Sequence, residues 1–347
     1  MPVVREEVLR TLAFDVFAAT GIPSDDARIV ADHLVNSHLA GHDSHGTWFL
    51  PNYARAMKKG YVPWEDREIV RQNPSLTILD GKGGNGIVAV TRAVDLAVEK
   101  ARSSTFGFVG LNSVSHIGRL GDYPPRIAEQ GMLGLVWLNG GGLFMAPYGS
   151  ADRRLRPEPI AFSAPRKEGP PFMLDMTMTV VAGGKIEQKI IRGEPLPEGW
   201  VIDQQGEPVT DSQQYRDTST GVLPLGGMQF GHKGHGLAMM VEMLVGPLSH
   251  AGCTKQDGKG GNGVMVLAID IEAFTDLDTY TDEVEALAEW VCSARPLPGF
   301  KKVYAPGEIE QEIRATRLVD GIDLPQPVWE AIGEVAGEMG VAMPSID

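Results

Sequence analysis

The heptapeptide "DGKGGNG" occurs at Asp80–Gly86 and again at Asp257–Gly263, and whether either copy cradles a phosphate decides the fold. After each Asp the spacing is G-x-G-x-x-G, which lets a backbone turn approach a pyrophosphate. The first copy lies between a strand-like "SLTILD" (75–80) and a helix-like "VAVTRAVDLAVEKAR" (88–102), the context a dinucleotide fingerprint requires. That fingerprint also needs an acid at the end of the next strand to hold the ribose hydroxyls. Here "GFVGLNS" (107–113) ends in Asn112 and Ser113. The second copy follows a loop and runs into "VMVLAID" (264–270), a strand by its β-branched, apolar content, so a phosphate there meets no helix N-terminus. Both copies therefore read as Asp-Gly turns that tolerate positive φ, and a Rossmann fold is not expected.

Outward from these turns, strands and helices alternate. "FGFVGLNS" (106–113), "MLGLVWLNG" (132–140), "PIAFSAP" (159–165), "PFMLDMTMTVV" (171–181) and "GVMVLAID" (263–270) are the strands. "YPPRIAEQG" (123–131) is a short helix and "GHGLAMMVEMLVGPL" (234–248) an apolar one. At the N-terminus Val4, Val8, Leu12 and Val16 recur at i+4 along one helix, and Gly21 closes it. A second helix has Ser24 as N-cap and Gly41 as its stop. The tail returns to helices at "GEIEQEIRATRLVDG" (307–321) and "PVWEAIGEVAGEMG" (327–340). The pattern predicts an α/β sheet with a helical lobe built from both chain termini.

The bulk numbers narrow the function. A chain of 347 residues with 43% hydrophobic and 22% charged residues is of ordinary globular composition. Its net charge of -14, from 45 acids against 31 Lys and Arg, argues against a nucleic-acid partner. Any anionic ligand must then be met by cations gathered locally. Two cysteines, Cys253 and Cys292, allow at most one bridge, and no apolar leader or membrane-length run occurs, so a cytoplasmic protein is expected.

Chemistry concentrates in three segments. Four of the eight histidines, His33, His38, His42 and His45, fall around "GHDSHG" (41–46). His42, Asp43 and His45 are metal-ligand types. Alternatively, His33 and His38 face solvent on a helix, or the helix terminus presents Ser44 and His45 to a small polar ligand. The second segment is "NSVSHIGRLGDY" (112–123), which sets His116 at a strand's C-terminal end, where α/β proteins carry reacting groups. Its imidazole can take and give a proton near neutrality, while Arg119, between Gly118 and Gly121, suits a phosphate. The third is "GHKGHG" (231–236), ahead of the apolar helix, a candidate anion site. Asp175, in an apolar strand, needs a partner.

These segments, with "LPNY", "APYGSADRRL", "PFMLDM", "LPLGG" and "PGEIE", resemble, in order and over nearly the whole chain, the type-2 malate/L-lactate dehydrogenase family. Its members are NAD(P)-dependent 2-hydroxy acid oxidoreductases, and the pattern is nearest the hydroxycarboxylate dehydrogenase branch. The resemblance implies a non-Rossmann nucleotide domain with a mixed β-sheet, and a homodimer. It divides the chain into an N-terminal helical lobe (1–75) packing with C-terminal helices (300–347), an α/β segment with the catalytic histidine (76–125) and a nucleotide-binding domain (126–299). His116 matches the catalytic acid/base, with Ser44 and His45 beside it and Tyr53 near the substrate. The cofactor, NAD or NADP, would be contacted by His45, Gly118, Arg119, Leu120, Met173, Leu174, Asp175, Met176, Thr177, His232, Lys233, Asn262, Gly307, Glu308, Ile309 and Glu310. No metal is implied.

The chain departs from the family pattern in three places. Phe49 stands where many members carry an Arg that clamps the substrate carboxylate. "RPEP" replaces "GTNP", so Arg156, Pro157 and Glu158 stand where Gly, Thr and Asn are usual. "DMTMT" (175–179) replaces "DMATS". Arg156 is a candidate replacement for the missing clamp. The expected partner is a small 2-hydroxy or 2-oxo acid. Rival readings are a cyclic imino-acid (pyrroline- or piperidine-2-carboxylate) reductase, a catalytically inactive ligand-binding homologue, and a metal-dependent hydrolase built on "HDSH".

Overall fold

The computed structural model describes residues 2–255 and 262–345, so Asp257–Gly261 of the second glycine segment lie outside the described residues. The chain begins with β1 (Val3–Val4), α1 (Glu6–Ala18), α2 (Ser24–Leu39) and α3 (Leu50–Lys59). Next come β2 (Glu68–Asn73), β3 (Leu76–Asp80), α4 (Gly86–Ser104), β4 (Phe106–Asn112), α5 (Pro124–Ala128) and β5 (Met132–Asn139). The middle supplies β6 (Ile160–Ala164), β7 (Phe172–Met176), α6 (Gly183–Arg192), β8 (Val201–Ile202) and β9 (Gly221–Val222). The last part supplies α7 (Gly227–Phe230), α8 (His232–Val245), β10 (Gly263–Asp270), α9 (Leu277–Cys292), α10 (Glu308–Asp320), β11 (Ile322–Asp323) and α11 (Gln326–Met339).

Seven strands form one mixed sheet in the order β2-β3-β4-β10-β5-β6-β7. Only β3 and β4 run parallel, with α4 as their crossover; every other neighbouring pair is antiparallel. The strand β10 reads as an unbroken apolar run because both its faces are covered. Val264, Val266 and Ala268 meet Ala93, Val94 and Ala97 of α4 on one face, whereas Met265 joins Val241 and Val245 of α8 on the other.

A separate apolar core gathers Leu9, Val16 and Phe17 of α1, Val30 and Leu34 of α2, and Ile332 and Val335 of α11. There β1 pairs with β11 through Val4 and Ile322, so residues near the two ends of the chain share that core.

Four local expectations change. Ser24 is the first helical residue of α2 rather than its cap, and the preceding Pro23 fixes the entry with no side-chain capping bond. The strand expected over 171–181 stops at Met176, because the Met178 N–H turns aside to donate to the Pro157 carbonyl at 2.8 Å. The edge strand β2, exposed throughout and polar or charged at four of its six positions, escapes hydrophobic patterning. The helix α8 begins at His232, so "GHKGHG" forms its first turn rather than a loop ahead of it. No helix among the described residues is long and apolar enough to cross a membrane, and Cys253 and Cys292 are unpaired thiols.

Candidate active site

Amides of the first glycine segment bond to a neighbouring loop. Gly81 N–H donates to the Asn112 carbonyl at 2.8 Å and Gly83 N–H to the Ser113 carbonyl at 2.6 Å. Gly86 N–H donates to Ser115 Oγ at 3.1 Å, and Ser115 N–H returns a bond to the Gly84 carbonyl at 3.0 Å. Asn85 caps α4 by accepting from Val88 N–H at 3.0 Å. These amides, which a phosphate loop leaves free, are taken up by the segment leading from β4 to His116.

Around His116 the structure brings together residues far apart in sequence. The Tyr53 hydroxyl, on α3, lies 2.5 Å from His116 Nδ1. The Phe49 ring centroid is 4.6 Å from that of His116 and 5.5 Å from that of Tyr53, on which it stacks. The His45 ring stacks on His116 at 5.7 Å, and its Nδ1 lies 3.1 Å from Ser44 Oγ. Ser44, His45, Tyr53 and His116 therefore form one group, and Phe49 walls it with an apolar ring. Burial, with the nearby His33 as a second cause, lowers His116 to about 4. Burial, followed by the His116 charge, lowers His45 to about 3. Burial also raises the Tyr53 phenol well above its ordinary range. At neutral pH the group is two neutral imidazoles and a phenol.

The metal reading of "GHDSHG" finds different partners for each residue. His42 Nε2 is 3.7 Å from Glu310, whereas Asp43 meets His38 at 3.0 Å and is also bonded by Arg317. Among the described residues no group of three or more His, Cys, Asp or Glu is arranged to hold a metal ion. The expectation that His33 and His38 face solvent fails, since they are 1% and 2% exposed. The helix α2 is covered on several sides, by α1, α4 and α10, and a histidine on it is buried.

A cavity of about 360 Å³ is lined by Arg119 of the His116 loop, Met173, Gly307 and Glu310 together with Gly121, Arg126 and Arg314. Gly307 opens the N-terminus of α10 with φ +92°, and a Cβ there would press on Met173 at 3.2 Å. Its three guanidiniums are matched by the carboxylates of Asp122, Glu129 and Glu310, so an anion entering it would be met by the helix N-terminus and by whichever arginines those acids leave free. Asp175 finds its partners here: it accepts from Gly121 N–H at 2.8 Å and lies 3.5 Å from Arg119 Nε.

The other candidates vary. Leu120 is buried in the sheet core, and Leu174 and Ile309 are exposed. Met176 packs against the core under α8, and Thr177 Oγ1 is 2.9 Å from the Thr179 hydroxyl. Glu308 folds back to accept from Ala305 N–H, ahead of its helix, at 2.9 Å. Asn262 reaches the His116 segment, donating to the Val114 carbonyl at 3.3 Å. His232 meets Tyr148 at 5.6 Å and Lys233 lies over Phe230 at 5.3 Å, contacts outside the His116 group. Arg156 is buried with Glu158 as a charged neighbour; burial and then Glu242 push Glu158 up to about 10.

Comparison with known proteins bears on all of this. The malate/L-lactate dehydrogenase family model matches residues 4–333. A malate dehydrogenase of Pyrococcus abyssi is 36% identical over 97% of this chain and 95% of its own length. An L-lactate dehydrogenase of Cupriavidus necator is 33% identical over 97% of each. The crystal structure of malate dehydrogenase from Entamoeba histolytica superimposes with a TM-score of 0.91 at 27% identity, covering 99% of both chains.

Proposed function

The chain belongs to the malate/L-lactate dehydrogenase family and is an oxidoreductase, and on that premise we propose that it interconverts a small 2-hydroxycarboxylate and its 2-oxo acid with NAD or NADP. The single observation that carries the reading is the contact between the Tyr53 hydroxyl and His116 Nδ1, inside a buried group of neutral side chains. With the phenol oxygen accepting from Nδ1–H, Nε2 is bare and available as base and, once protonated, as acid.

In the oxidative direction His116 takes the hydroxyl proton as the α-carbon loses its hydrogen, and in the reductive direction it returns that proton. When bound, the nicotinamide supplies the hydride acceptor or donor. Ser44 and His45 orient the substrate's polar groups, and the Phe49 ring excludes water from one side of His116. Arg156 is the proposed carboxylate clamp in place of the arginine absent at Phe49.

The same proposal gives Arg119, Asp175 and Gly307–Glu310 to the cofactor, with the remaining cofactor assignments around them. It reads the nucleotide domain as non-Rossmann, because the glycine-turn amides at 81–86 already have protein partners. The division at 75, 125 and 299 is retained as a proposal, as is a cytoplasmic homodimer. Support for a second copy comes from large exposed apolar side chains, among them Trp290 at 77% and Leu297 at 71%.

The test is a panel crossing NAD and NADP with malate, lactate, sulfolactate, 2-hydroxyglutarate and a cyclic imino acid, using the wild-type and His116→Ala proteins. Turnover of a hydroxy acid by the wild type, lost by roughly a hundredfold or more in the variant, is expected. Turnover of the cyclic imine alone would replace the substrate class, and full activity of the variant would remove His116 from its role.

A further inference from the structure

The helix α2 carries two histidines in related settings, His38 hydrogen-bonded to its carboxylate and His33 only in close approach to its own. His33 Nε2 accepts from the Arg119 N–H at 2.9 Å, while its Nδ1 lies 3.3 Å from Asp122. His38 Nε2 accepts from the Thr47 N–H at 3.0 Å, while its Nδ1 lies 3.0 Å from Asp43. In each case the residue before the donated N–H is a glycine against which the ring sits. A Cβ on Gly118 would lie 2.1 Å from His33 Nε2, and one on Gly46 would lie 2.3 Å from His38 Nε2. No L side chain fits at either glycine while the bond is kept. The acceptor role of both Nε2 atoms puts the ring proton on Nδ1, facing a carboxylate.

What each strut holds is informative. The Arg119 amide belongs to the loop that carries His116, and the Thr47 amide to the turn that carries Ser44 and His45. These are the two loops whose rings stack in the active group. Asp43 is held in turn by Arg317 of α10, so that strut is anchored at both ends.

We infer that His33 and His38 are positioning residues: two Asp–His–amide struts on one helix fix the loops of His116 and His45 in mutual register. The inference rests on the reading of His116 as acid/base. A buried imidazole is needed because it must receive an amide proton on one nitrogen and present a proton to a carboxylate on the other. Glutamine can reproduce the acceptor, whereas the methionine thioether accepts only weakly.

The experiment uses the full chain, with histidine ring nitrogens isotopically labelled, and the variants His33→Met, His33→Gln, His38→Met and His38→Gln. Ring spectra near neutral pH should show both histidines protonated on Nδ1 and bare on Nε2, and the reverse tautomer at either position overturns that strut. Kinetics use whichever of malate, lactate, sulfolactate and 2-hydroxyglutarate the wild type oxidises fastest. The Met variants should lose roughly tenfold or more in kcat, with cofactor KM within about twofold in His38→Met, whose strut touches no proposed cofactor residue, and the Gln variants should recover to within about threefold of wild type. Equal loss in Met and Gln variants, or no loss in the Met variants, overturns the inference. If a Met variant does not fold, the Gln variant decides, since a tenfold loss there contradicts the acceptor argument. A wild type inactive on all four acids counts against the dehydrogenase reading, and the ring spectra then decide the struts alone.

Discussion

The Tyr53 hydroxyl lies 2.5 Å from His116 Nδ1, although 63 residues separate them in sequence. The phenol is the ring's polar partner on that side, and burial holds it protonated. Removing its oxygen leaves Nδ1 buried beside Phe49 with no partner. Tyr53→Phe should therefore lower kcat by roughly tenfold to a hundredfold with a smaller change in substrate KM, measured by steady-state kinetics. A rise in KM at unchanged kcat would reassign Tyr53 to substrate binding.

The two buried imidazoles set the response to acid. A histidine held at about 4 or about 3 in the folded state, against an ordinary 6.5, binds fewer protons folded than unfolded. Its contribution to stability is fully present above 6.5 and is lost as the pH falls through the folded values. Thermal scans should show Tm falling between pH 6.5 and 4, less steeply in His45→Asn. In the oxidative direction kcat/KM should hold below pH 6, because His116 is still a base there. A limb centred at 6.5 or higher would contradict the burial argument.

Arg156 tests the substrate pocket. If its guanidinium clamps the carboxylate, Arg156→Ala should raise the KM of a 2-hydroxy acid by roughly tenfold to a hundredfold while cofactor KM stays constant. An unchanged substrate KM would assign the clamp elsewhere.

Glu158, fully buried and held up at about 10, folds with its proton. The unfolded carboxyl loses that proton above 4.5, so folded stability declines as the pH rises from 4.5 toward 10. Glu158→Gln keeps the shape without the titration. It should raise Tm by several degrees near pH 8 and by almost nothing near pH 4.5, read by parallel thermal scans. A variant destabilised at both pH values would mean that the carboxyl is ionised in the fold.

The sheet was legible in the sequence because its strands are apolar runs bounded by glycine and proline, and β10 shows this most plainly. The strand β2 was not, because it lies at the edge and buries none of its residues. In the site, His116 was legible from its position after a buried strand. Of its neighbours, Ser44 and His45 stand out at the turn after α2, whereas Tyr53 is singled out only by the family resemblance. His33 and His38 were misjudged because helical spacing alone does not reveal how many neighbours cover α2; its buried residues, from Asp26 to Leu39, spread around more than one face. Phe49 was noted for the arginine it lacks, while its contribution as a wall against His116 depends on tertiary stacking.

The glycine segment at 80–86 now has a practical meaning for anyone redesigning this protein. Because its motif looks like a nucleotide fingerprint, it invites grafted acids or side chains meant to switch NAD for NADP. A Cβ at Gly86 would fall 2.3 Å from the Ser115 carbonyl oxygen and 2.7 Å from that of His116. Edits there would deform the loop that carries His116, and if Gly307–Glu310 meet the cofactor as proposed, a cofactor-swapping library belongs there instead.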